Sequence, residues 1–179
     1  SISTVAPCYL WNDEIEQTWQ QADISFIQTA GYRCTGRDKT GQYIQNPAII
    51  RTGDKNTFGQ TYLVRNVMFE PTDGKNTAET AFQEAISAYN QAQPISISTH
   101  RYNYTRTEEQ CNNSLTGLND LLIKITQQLP NTRFLSSPEL GETIRSPDQM
   151  IINHFNNTQW GNIKTLTGQN KLSAFLYRL

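Results

Sequence analysis

Histidine and cysteine are scarce in this chain, and long apolar or basic runs are missing altogether. With two histidines and three cysteines among 179 residues, few side chains can ligate a soft metal or serve as a nucleophile. Cys8, Cys34 and Cys111 lie far apart with no Cys-x-x-Cys pair, which excludes a zinc ribbon and a dithiol redox motif. One disulfide plus one free thiol is compatible with the spacing. No apolar stretch approaches the roughly 20 residues that cross a bilayer, so no membrane-spanning segment is expected, and Ser1 opens into a short strand rather than a signal peptide. The net charge is −1 and Lys and Arg are nowhere clustered. A phosphate backbone would meet no basic field, so nucleic acid is not expected as a partner. Charged residues make up only 17%, leaving Asn, Gln, Thr and Ser to supply a polar surface. The glycosylation-type triplets at Asn103, Asn112 and Asn156 arise readily in so Asn- and Thr-rich a chain.

What is present is an alternation of strand-like and helical stretches, the pattern of βα units around a mainly parallel sheet. The chain is long enough to bury a core but short of the about 250 residues of a complete (β/α) barrel. Strands are predicted at Ser3–Ala6, Ile24–Gln28, Ala48–Arg51, Thr61–Val67, Ile95–Thr99 and Arg133–Ser136. Except for the one at Ala48–Arg51, they are expected to be largely parallel neighbours with helices outside. Asn12 caps a first helix with Asp13 and Glu14 in its opening turn and Ile15, Trp19 and Ala22 as its stripe. A second helix carries Ala78, Phe82, Ala85, Ile86 and Tyr89, and a third Leu115, Leu118, Leu122, Ile125 and Leu129. Residues 31–60 read as a long connection rich in turn chemistry. Ser137-Pro138 and Ser146-Pro147-Asp148-Gln149 start two further helices, and 162–177 reads as a hairpin.

In parallel α/β folds, ligands gather beyond the carboxyl ends of strands. The residues found there are Cys8, Tyr9 and Trp11, then Gln28, then Arg65, Asn66 and Glu70, then His100, Arg101, Tyr102 and Asn103, then Glu139. His100 follows its strand directly, and its imidazole can exchange a proton near neutral pH. Arg65 suits either a carboxylate contact or a structural ion pair, and Glu70 and Glu139 suit either acid/base work or helix ends. Tyr9, Trp11 and Tyr102 suit either stacking on sugar faces or packing. His154 reads as a helix-end residue.

Ala6-Pro7-Cys8-Tyr9-Leu10-Trp11, Tyr62 through Pro71, Ser98 through Tyr104 and Phe134 through Gly141 resemble, in this order, the C-terminal part of bacterial polysaccharide deacetylase-like proteins. The resemblance covers roughly residues 5–145. It implies part of a distorted (β/α)7 barrel over 1–158, with 159–179 as a hairpin or a further β element, in a periplasmic or secreted protein acting on acetylated polysaccharide or oligosaccharide. His100 stands where that family places a late strand-end His that protonates the leaving group, with Arg65 and Glu70 beside it as catalytic candidates. Cys8, Tyr9, Trp11, Gln28, Asn66, Arg101, Tyr102, Asn103 and Glu139 become candidate substrate contacts. The family's early acidic motif and His-x-x-His metal motif have no counterpart here, and no trio of ligands is apparent. No metal ligand or cofactor is therefore assigned to this chain, which by itself is expected to be inactive. A divalent, zinc-like metal is expected only in a longer protein of which this is a portion. A non-catalytic sugar-binding domain and an unrelated α/β domain are the alternative readings.

Overall fold

The computed structural model describes residues 2–129 and 131–146. They form a mixed α/β protein in which the strands of the main sheet run parallel. Two compact units are present, residues 2–65 with 135–146, and residues 66–129 with 131–134.

In the first unit, β1 (Ser3–Val5), β2 (Phe26–Thr29) and β5 (Thr61–Val64) form a parallel sheet in the order β1-β2-β5. Ser3 pairs with Phe26, and Phe26 with Thr61. Between β1 and β2 runs α1 (Asp13–Gln21), started by Asn12, whose Oδ1 accepts from the Ile15 amide at 3.0 Å. This satisfies one of the amides that a helix leaves open at its start. Of the expected apolar stripe only Trp19 packs against the core: Ile15 is 42% exposed and Ala22 is exposed, whereas Glu16 is buried. Its carboxylate accepts from Trp11 Nε1 at 2.7 Å, from Asn56 Nδ2 at 2.9 Å and from Tyr62 Oη, with Arg33 Nη1 at 3.4 Å. Burial, and then the Glu16 hydrogen bond, push the Tyr62 phenol well above its usual range.

The connection at 31–60 holds a hairpin that its turn-rich composition concealed, β3 (Cys34–Arg37) against β4 (Tyr43–Gln45). Asp38 Oδ1 accepts from the Thr40 and Gln42 amides and closes the turn, a role Asp favours because its side chain mimics a backbone acceptor. Ala48–Arg51 forms no strand.

Helix α4 (Ser137–Arg145) carries a capping box displaced by one residue from the predicted start: Ser136 is the cap and the Glu139 carboxylate returns to the Ser136 amide at 2.7 Å. Gly141 of α4 lies on the Phe26 ring, and a Cβ built there would overlap three ring carbons. Phe26 is fully buried and cannot step aside, so Gly141→Ala is expected to cost about 1–3 kcal/mol through overpacking. An unchanged thermal unfolding midpoint would show that the helix shifts freely.

In the second unit, β6 (Val67–Met68) and β7 (Ile97–Ser98) form a parallel pair only two residues long. Side chains extend it. Asn66 donates to Pro94 O and accepts from the Ser96 amide, each at 2.9 Å, and Glu84 accepts from the Met68 amide at 2.6 Å. The strand expected over Thr61–Val67 is thus two strands in different sheets, interrupted at Arg65-Asn66 where the Asn66 amide takes up the chain from Pro94 to Ser96. Helices α2 (Ala78–Asn90) and α3 (Glu108–Gln128) pack with β6 around Val67, Phe69, Phe82, Ala85, Leu121, Ile125 and Leu129. Of the predicted stripe, Ile125 and Leu129 are buried and Leu118 packs against the core, but the face is turned so that Leu121 is fully buried, Leu122 half-buried and Leu115 51% exposed. Arg133–Ser136 forms no strand, since Ser136 is already committed to capping α4 and Phe134 stays 67% exposed.

The start predicted at Ser146–Gln149, the hairpin over 162–177, His154 and the boundary at 158/159 lie outside the described residues.

Candidate functional site

His100 stands two residues after β7, where the chain turns into a short 3-10 segment, Arg101–Tyr104. Glu70 stands two residues after β6, at the start of a second such turn, Pro71–Asp73. Because β6 and β7 are parallel neighbours, both residues emerge at the same end of the pair. The Glu70 side chain is buried at 6% exposure while the imidazole is 63% exposed. Glu70 Oε1 meets His100 Nδ1 at 2.6 Å and accepts from the His100 backbone amide at 2.9 Å. A carboxylate can only accept, so Nδ1 carries the proton in this contact and Nε2 is the ring nitrogen left to exchange one with a ligand.

Asn103 is fully buried beside this pair. Its Nδ2 donates to Glu70 Oε2 at 2.5 Å and to His100 O at 2.9 Å. Thr72 Oγ1 donates to Asn103 Oδ1 at 2.6 Å, and the Thr72 amide approaches the same oxygen at 3.4 Å. Tyr102 lies stacked beside the imidazole, with centroids 6.2 Å apart and planes at 25°, and is itself 43% exposed. Arg101 is exposed. Thr99 Oγ1 and Tyr104 Oη share a hydrogen bond at 3.0 Å that ties the strand end to the turn. The arrangement is a buried carboxylate orienting an exposed imidazole, the geometry of an oriented general acid or base.

The sequence candidates separate between the two units. Asn66, Glu70, His100, Arg101, Tyr102 and Asn103 belong to the second, and Cys8, Tyr9, Trp11, Gln28, Arg65 and Glu139 to the first. Within the second unit, Asn66 holds the strand pair together, and Asn103, for which the sequence suggested a sugar contact, is fully buried. Thr72 was not among the candidates.

In the first unit, Trp11 is 3% exposed with its indole N–H on Glu16, so of its two readings packing is the one realised. Glu139 serves the capping box. Gln28 bonds across to Ser3 Oγ at 3.0 Å, and the Arg65 amide donates to Thr29 O at 2.7 Å while its side chain is half-buried. Cys8 and Tyr9 both adopt left-handed backbone, at φ 53° and 51°, which costs a residue with a Cβ some strain. Cys8 is exposed, and Tyr9 packs edge-on to Tyr32.

Among the described residues no three His, Cys, Asp or Glu side chains are grouped to hold a metal ion. No helix among them is long and apolar enough to cross a membrane. No family model, curated protein or solved structure matches the chain.

Proposed function

We propose that this chain supplies the proton-donating histidine and part of the sugar-contact surface of a carbohydrate deacetylase-like hydrolase, on part of a distorted (β/α)7 barrel. The observation that carries the reading is the Glu70–His100 pair, a buried carboxylate 2.6 Å from Nδ1 of an exposed imidazole at a strand end. Supporting it are the parallel pairing of β1, β2 and β5, and of β6 and β7. In deacetylation, water adds to the acetyl carbonyl, the bond from carbon to the sugar nitrogen or oxygen breaks, and acetate departs. The amine or alkoxide left behind is a poor leaving group unless it gains a proton as that bond breaks. His100 Nε2 is the group assigned to give it: the ring acts as the imidazolium, with Glu70 holding the Nδ1 proton and the ring plane, and returns to the neutral Nδ1–H form once Nε2 has released its proton to the leaving group. The family's metal centre has no counterpart among the described residues, and this chain is assigned only the protonation step.

The near-parallel rings of His100 and Tyr102, both solvent-facing, favour a second reading, a sugar platform without turnover. Acetate release from acetylated oligosaccharides, measured with the full-length protein and its His100→Ala variant, separates the two. The expected result is a fall in kcat of about 10²–10⁴-fold with substrate binding retained. Equal rates would remove His100 from the chemistry, and binding without release by the unsubstituted protein would leave the platform.

A further inference from the structure

We propose that Asn103, backed by Thr72, is a positioning residue that locks the Glu70 carboxylate onto His100 and thereby holds the imidazole in its Nδ1–H form. Its bearing on turnover rests on the proton-donor reading above; the tautomer itself does not.

An asparagine side chain offers two donors and one oxygen with two lone pairs. In Asn103 all of these are used within the protein: Nδ2 on Glu70 Oε2 and His100 O, Oδ1 on the hydroxyl and amide of Thr72. Exchanging the amide oxygen and nitrogen would set an oxygen against two acceptors and an NH₂ against the Thr72 amide, so only one orientation is compatible with its surroundings. The consequence falls on Glu70. The terminal torsion of a glutamate is broad and nearly two-fold, so a carboxylate held at one oxygen can swing. Held at Oε2 by Asn103, it keeps Oε1 on both the amide and Nδ1 of His100.

The chain builds this from two short turns. Glu70 and Thr72 flank Pro71, and the Asn103 amide donates to His100 O at 3.1 Å, so His100 and Asn103 are the two ends of one 3-10 turn. Glu-x-Thr and His-x-x-Asn therefore act as one unit of four side chains, although about 30 residues separate them. Asn103 is fully buried, so its effect reaches the exposed imidazole through Glu70.

Long-range ¹H–¹⁵N spectra of the imidazole, recorded on the whole chain, test this directly. At a pH where the ring is neutral, the unsubstituted protein is expected to show the Nδ1–H form, with a downfield Nδ1 proton protected from exchange. Asn103→Asp keeps the shape but sets a carboxylate oxygen against Glu70 Oε2, and should lose that resonance and mix the tautomers. Thr72→Val removes only the hydroxyl behind Asn103 and should keep the tautomer while the Nδ1 proton loses its protection. It reads the same lock if Asn103→Asp fails to fold. An Nε2–H ring in the unsubstituted protein would overturn the proposal, as would an Nδ1 proton undisturbed in Asn103→Asp or, where that variant does not fold, in Thr72→Val. Acetate release plays no part in the readout, so failure of the hydrolase reading and failure of this one are separate results.

Discussion

Replacing Glu16 by alanine is expected to destabilise the first unit by about 3–5 kcal/mol, the cost typical of removing one partner from a buried charged network. The carboxylate stands at the centre of four donors, the nearby Trp11 and the sequence-distant Arg33, Asn56 and Tyr62. Deleting it leaves the Trp11 N–H and Tyr62 O–H, both on buried residues, without an acceptor, and each orphaned donor costs about 1–3 kcal/mol. Arg33 suffers less, because Asp13 still holds Nη1 at 2.6 Å. Glu16→Gln should lose less, since it preserves the volume and one acceptor oxygen but turns an NH₂ toward a donor. Urea unfolding followed by tryptophan fluorescence in a Trp160→Phe background, where Trp11 and Trp19 are the remaining indoles, measures this unit. A loss under about 1 kcal/mol for the alanine variant would mean that water replaces the carboxylate at little cost.

Leu121→Ala is expected to cost about 2–5 kcal/mol, the range for emptying a fully buried leucine site. The side chain has no exposure and lies among Val67, Phe69, Phe82 and Ile125, where little room for collapse exists around packed rings. Its neighbour Leu122 is half-buried, and Leu122→Ala should cost only about 1 kcal/mol. Denaturant titration of the two variants, followed by circular dichroism, compares them directly. Equal losses would place the helix in the rotation that the leucine spacing alone suggests.

That rotation illustrates what the sequence could and could not reveal. Helix existence was legible, because caps are local: Asn12 and the residues around Ser136 announce their helices within a few positions. The buried face of α3 was legible only in part: Leu118, Ile125 and Leu129 of the predicted stripe meet the core, but the face also runs through Ser114 and Leu121 and includes Gly117, which lies close on Phe69. A serine and a glycine carry no apolar signal, while Leu115 advertises a face that stays largely in solvent. The same holds for α1, whose inward residue is the charged Glu16. Parallel pairing of β1, β2 and β5 follows from the alternation of strands and helices. The split at Arg65-Asn66 does not, since it depends on hydrogen bonds to residues 94–96. For the candidate site, His100 and Glu70 could be picked out by their strand-end positions. Asn103 was visible only as a polar residue near them, and Thr72 not at all, because a hydrogen bond across 31 residues leaves no periodic trace.

The brevity of the β6–β7 pair has a consequence for how this protein can diverge. A long ladder is sequence-tolerant, since backbone groups make its bonds whatever the side chains. Here two residues of ladder are supplemented by the amide of Asn66 and the carboxylate of Glu84, so part of the sheet is written in side chains. Drift at these two positions would alter the platform from which Glu70 and His100 emerge without touching either one. The room for neutral change is therefore narrower at Asn66 and Glu84, remote from the imidazole, than at the exposed Arg101 beside it.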